Sequence, residues 1–126
     1  WKYELRHDRD SDRNRFAGLG VGQLRAWLAA GGEVLFGTDV GYMDDYDPAG
    51  EYALMAEAGM SGRQILASLT TAPAGRFGEG KRLGRIAPGF AADLAVLNGD
   101  FARSVRAFAA VRYTIRNGRV IYRAER

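Results

Sequence analysis

The spacing of apolar residues changes once along this chain, near Gly80, and that change limits the folds open to it. Before it, Leu24, Trp27 and Leu28 recur at helical spacing, and Ile65, Leu66 and Leu69 do so again. After it, Val111, Tyr113 and Ile115 alternate with Arg112, Thr114 and Arg116, and Asn117-Gly118 leads into Arg119-Val120-Ile121-Tyr122. Asn-Gly between alternating runs is the strongest short hairpin signal, because both residues accept the positive φ of a tight turn. The chain therefore reads as a helix-rich α/β part followed by a β tail. With 126 residues, one compact domain is expected.

Local signals place the elements. The charges crowded between Trp1 and Arg15 read as a solvated loop. Gly31-Gly32 stops the first helix, and Glu33 to Gly37 reads as a short strand buried on both faces. Asp47 is placed to cap a helix with Pro48 in its first turn. Tyr52, Met55 and Ala56 would share the face of that helix, which stops at Gly59. Ser61-Gly62-Arg63-Gln64 matches a capping box ahead of the Ile65 stripe. Pro73 opens a last turn closed by Gly78, and Asp93 to Leu97 reads as a strand. The first residue is Trp1, which fits processing, truncation or a further upstream segment.

Several chemistries are excluded. The chain has no cysteine, so disulfides, thiolate catalysis and cysteine-based zinc sites are absent, and the compartment is left open. No run is long and apolar enough to span a membrane, and no signal peptide is visible. Gly75 to Lys81 has P-loop spacing, but Arg82 stands where Ser or Thr would hold magnesium, and a helix precedes it. Asp8, Asp10 and Asp12 begin like a calcium loop, but Arg13 replaces the glycine and Leu19 the closing glutamate. The net charge of +3 is spread among interrupting acids, so nucleic-acid binding is the weakest class considered. His7, the only histidine, lies in the charged leader without a fixed partner.

Asp39 remains. It follows the predicted strand in Phe36-Gly37-Thr38-Asp39, and carboxylates at strand ends gather where α/β folds bind ligands. By itself such an aspartate also serves as an ordinary loop former.

The phrases around it narrow the choice. In order they are Phe36-Gly37-Thr38-Asp39, Ala58-Gly59-Met60-Ser61, Thr70-Thr71-Ala72-Pro73-Ala74, Leu83-Gly84-Arg85-Ile86-Ala87-Pro88-Gly89 and Ala92-Asp93-Leu94-Ala95-Val96-Leu97. From Gly31 to about Tyr122 this resembles the C-terminal third of the amidohydrolase superfamily, nearest its imidazolonepropionase-like and Xaa-Pro-dipeptidase-like branch.

The resemblance implies an α/β fold. It would be the C-terminal fragment of a (β/α)₈ barrel followed by strands of a small β-sandwich. Residues 1–18 would be a leader or loop, 19–80 the last barrel units and 81–126 the sandwich tail. It implies that Asp39 is a metal ligand and proton shuttle in hydrolysis of a C–N bond by metal-activated water. It puts Tyr42, Asp44 and Asp45 near the substrate. Asp93 reads instead as a strand-start residue with local hydrogen bonds.

The family's other ligands, mainly histidines, are not in this chain, and Arg9 stands where a His-x-His pair with His7 would need its partner. One carboxylate does not hold a catalytic zinc. The expectation is therefore a piece of a larger zinc hydrolase, inactive alone and partnered by the remainder of its parent chain. Its substrate would be a small molecule or dipeptide. Unpaired strand edges would favour self-association, so a homo-oligomer is a further partner class. A non-catalytic protein-interaction module is the alternative.

Overall fold

The computed structural model describes residues 10–39 and 46–125, with side chains from Ala17 onward in the first helix. Among the described residues four helices come first: α1 (Asp10–Ala29), α2 (Ala49–Glu57), α3 (Gly62–Leu69) and α4 (Thr71–Arg76). Strand β1 (Leu94–Leu97), a 3₁₀ turn (Val105–Ala109), β2 (Val111–Arg116) and β3 (Arg119–Arg123) follow. The strands form one antiparallel sheet in the order β1-β2-β3. The change of period near Gly80 thus separates helices from sheet, with the 3₁₀ turn as an unpredicted interruption.

The glycine stops behave as expected. After α1, Gly31 takes φ 78°, its N–H donates to the Leu28 carbonyl, and the Gly32 N–H donates to that of Trp27. This pair of bonds satisfies the carbonyls a helix end leaves open. The same pair recurs after α2, from Gly59 to Ala56 and from Met60 to Met55. The capping box on α3 is complete: the Gln64 N–H donates to Ser61 Oγ at 3.3 Å, and the Ser61 N–H donates to Gln64 Oε1 at 2.9 Å.

Other expectations need correction. Helix α1 spans Asp10–Ala29, so it includes part of the segment read as loop, and a charge-rich sequence is compatible with either. Trp27 is not in the buried stripe. It is 55% exposed, and its indole N–H donates to the Glu33 carbonyl at 2.9 Å. Val21 takes the buried place, with Leu24 and Leu28 half-buried. Pro48, rather than Asp47, occupies the cap position of α2, while an Asp47 carboxylate oxygen accepts from the Ala49 N–H at 2.9 Å. Pro73 stands inside α4, which starts at Thr71.

The segment 33–37 differs most from its prediction. It is extended, but among the described residues no strand pairs with it, because a parallel strand needs a neighbour and the sheet lies elsewhere. Only one face is covered: Val34 and Phe36 are half-buried while Leu35 points outward. Among the described residues one backbone bond ties it down, from the Phe36 N–H to the Ser68 carbonyl of α3 at 3.1 Å.

The core lies between α2, α3 and the 3₁₀ turn. Tyr52, Met55, Met60, Ile65 and Phe108 are buried in it, and Leu24, Val34, Phe36, Leu69 and Phe101 pack around them. Burial without compensating charge raises the Tyr52 phenol above its ordinary ionisation range. A raised acid pKa means that the folded state prefers the neutral phenol. This preference is fully present below the unfolded value near 10 and is lost as pH rises through the folded value. We expect unfolding free energy to fall as pH climbs above about 10, with Tyr52→Phe reducing that fall. Denaturant titrations at stepped alkaline pH check this, and an unchanged slope in Tyr52→Phe would contradict it.

Two contacts explain residues in the later phrases. A side chain at Gly84 would meet the Thr70 carbonyl oxygen and Ala74 Cβ, each at 2.9 Å, and φ there is 87°. The Leu83-Gly84-Arg85 turn therefore lies directly on the junction of α3 and α4. Asp93 Oδ1 accepts from the Asn117 N–H at 2.7 Å, so its bond reaches across the sheet and is not local. The Gly118 N–H adds a bond to the Ala92 carbonyl. Asn117 (φ 48°) and Gly118 (φ 75°) form the predicted two-residue turn between β2 and β3.

Candidate functional site

Asp39 lies at the exposed end of the extended segment, and its backbone is left-handed, with φ 51°. That region is uncommon for residues other than glycine, and aspartate and asparagine tolerate it best. Holding it there takes a supporting structure, and Phe36 supplies part of one. Its ring stacks on Tyr52 with centroids 4.9 Å apart, Tyr52 meets Phe108 at 5.5 Å, and Phe108 stacks on Phe101 at 4.9 Å. An aromatic row thus runs from the 3₁₀ turn through α2 to a point three residues before Asp39. The bond from Phe36 to α3 adds a second anchor.

Phe36 and Tyr52 lie on elements marked by their apolar spacing, whereas Phe101 and Phe108 do not. The stretch holding them has neither helical nor strand periodicity, and the two aromatics were its only signal. The left-handed backbone at Asp39 was also missed, although Gly37-Thr38-Asp39 is rich in turn formers.

Tyr42, Asp44 and Asp45 lie outside the described residues. Asp47, next to them in the chain, turns its carboxylate to the start of α2. Among the described residues, no group of three or more histidines, cysteines, aspartates or glutamates could hold a metal ion. The donors described here do not amount to a catalytic metal centre, which normally has three protein ligands.

The match to known families now has a structural context. Residues 4–122 match the model of the amidohydrolase family Amidohydro_3, which is nearly the whole chain. This chain belongs to the amidohydrolase family. Among solved structures it is similar to an amidohydrolase at 27% identity, with a TM-score of 0.73, covering 86% of this chain and 27% of that one. A Xaa-Pro dipeptidase with bound methionine in its active site is 26% identical with a TM-score of 0.75, over 82% of this chain and 25% of that one. A prolidase complexed with N-methylphosphonate-L-proline is 29% identical with a TM-score of 0.73, over 83% of this chain and 26% of that one. The chain thus spans about a quarter of the length of these structures. No curated protein matches its sequence.

Proposed function

We propose that this chain supplies the C-terminal part of a metal-dependent amidohydrolase that cleaves a C–N bond in a small amide, cyclic amide or Xaa-Pro dipeptide. The observation that carries this reading is the position of Asp39. It is the exposed carboxylate at the end of an anchored extended segment, in a chain of the amidohydrolase family. Two of the similar structures are a Xaa-Pro dipeptidase and a prolidase, which favours a dipeptide with proline.

In the complete enzyme the segment 33–37 becomes the last strand of a (β/α)₈ barrel, paired by strands from elsewhere in the parent chain. The β1-β2-β3 sheet becomes part of a small β-sandwich. The half-covered face of the segment and the exposed Val120, Ile121 and Tyr122 of β3 are surfaces for that remainder. Zinc is the metal assigned, with Asp39 as one ligand and histidines from earlier segments as others; it would polarise the scissile carbonyl and acidify water. Asp39 itself takes the proton of the attacking water on its carboxylate and returns it to the leaving nitrogen. Tyr42, Asp44 and Asp45 follow closely enough in sequence to meet the substrate.

The test is a comparison of hydrolysis. The longer protein containing this chain is expected to release proline from Xaa-Pro dipeptides in a zinc-dependent way. The 126-residue chain with added zinc is expected to release none. Turnover by the short chain would refute its dependence on the remainder. Failure of the longer protein to cleave any dipeptide or cyclic amide would refute the hydrolase reading.

A further inference from the structure

The arginines of this chain are unevenly placed, and the interruption by acids expected from the sequence does not hold beyond Asp100. Residues 101–126 hold Arg103, Arg106, Arg112, Arg116, Arg119, Arg123 and Arg126 against a single acid, Glu125, although the whole chain carries only +3. Two of them converge. Tyr113 on β2 is the cross-strand partner of Arg123 on β3. The Arg123 guanidinium carbon lies 5.3 Å from the centre of the Tyr113 ring, and that of Arg112 lies 5.5 Å from it.

Like charges gathered at one ring repel, and each ordinarily seeks a carboxylate. The ring face offsets part of that repulsion. Neither guanidinium has a salt bridge among the described residues, where Arg82 pairs with Glu79 and Arg103 with Asp100. The hydrogen bond from Arg112 and the charge of both arginines lower the Tyr113 phenol below its ordinary range, so the local field favours negative charge.

The pair also faces open space. A groove of about 700 Å³ is lined by Asn98, Arg112, Tyr113, Arg123 and Glu125, with Ala110, Val111 and Ala124 completing its wall. Glu125 is its one acid, so a ligand must outbid that carboxylate for the arginines. Asp39 and the segment leading to it contribute nothing to this wall.

We propose that this groove is an anion-binding site in which Arg112 and Arg123 clamp one oxyanion group of a small ligand. Guanidinium groups offer paired N–H donors that match the oxygens of phosphate and carboxylate. Two of them lining one groove favour a group carrying more than one negative charge. Asn98 adds an amide to the lining, and the Tyr113 hydroxyl is a further donor while protonated. The site is separate from the proposed hydrolytic centre and does not depend on it.

The experiment titrates the longer protein containing this chain with pyrophosphate in one arm and succinate in the other, at constant ionic strength. It follows the arginine Nε–Hε resonances by NMR and the affinity by calorimetry. Saturable binding is expected in at least one arm, with the largest shifts at Arg112 and Arg123. The arm that binds tells whether phosphate or carboxylate is preferred. The double variant R112Q/R123Q is expected to weaken binding by roughly tenfold or more, since each charged hydrogen bond is worth about a factor of ten. R119Q, an exposed arginine on the same strand but outside the groove, is expected to leave binding unchanged. Far-UV circular dichroism confirms that each variant keeps its fold. No saturation in either arm, or equal weakening in R119Q and the double variant, would overturn the site. So would tighter binding of a DNA oligonucleotide with shifts spread over all the arginines, which would indicate a diffuse basic surface.

Discussion

Asp39→Asn in the complete enzyme is expected to lower kcat for Xaa-Pro hydrolysis by about 10² to 10⁴, with the fold intact. The size follows from the role proposed for the carboxylate, since removing a positioned acid–base group typically costs that range. Asparagine is the informative replacement because it is nearly isosteric and accepts the left-handed backbone found at residue 39. Its exposure removes any packing loss, so unfolding free energy should change by no more than about 0.5 kcal/mol. Asp39→Ala would add backbone strain of about 1 kcal/mol and confuse the two effects. Steady-state kinetics beside a thermal melt check the prediction. Full activity in Asp39→Asn would remove Asp39 from the chemistry.

The second large effect concerns stability. Ile65 is fully buried, at 0% exposure, on the face of α3 that meets the core. Ile65→Ala should cost about 2–5 kcal/mol, from lost transfer energy and from the cavity left behind. Ile65→Val should cost about 0.5–1.5 kcal/mol, because only one methylene leaves. Against a typical stability of about 5–15 kcal/mol, the alanine variant gives up a large share of the fold. The damage should reach Asp39, since the same helix accepts the Phe36 bond that anchors its segment. Urea denaturation of the three proteins tests the order, and equal midpoints for Ile65→Ala and Ile65→Val would show that the core is not centred there.

Much of this fold was legible because its signals are local. The capping box at Ser61, the glycine stops at Gly31 and Gly59 and the Asn117-Gly118 turn each depend on a few neighbouring residues, and each forms as read. The errors arose where distant residues decide. Trp27 fits the spacing of a buried stripe, yet its indole is drawn outward by the carbonyl of Glu33. The run Glu33 to Gly37 is strand-like, but a strand is completed only by a neighbour, and a single bond to Ser68 takes that place here. Gly84 could be seen as a turn glycine, but not that it rests against Thr70.

The candidate site was legible to a lesser degree. Asp39 stood out by position and by its phrase, whereas its left-handed backbone and the aromatic row behind it are tertiary facts. Family membership came from five short phrases in order, and the match over residues 4–122 bears it out. The groove at Tyr113 has no local signal, because Arg123 is ten positions from Tyr113 and reaches its ring only through strand register.

The bond between Asp93 and Asn117 has a consequence for the order of folding. The Asn-Gly hairpin can close by itself on the microsecond scale, because its partners are adjacent in sequence. Asp93 must span 24 residues to reach the same turn. Closing that larger loop costs chain entropy that only the laid-down β1–β2 ladder can offset. The carboxylate ties the hairpin turn back to the start of β1, and its bond is expected to form after the hairpin itself.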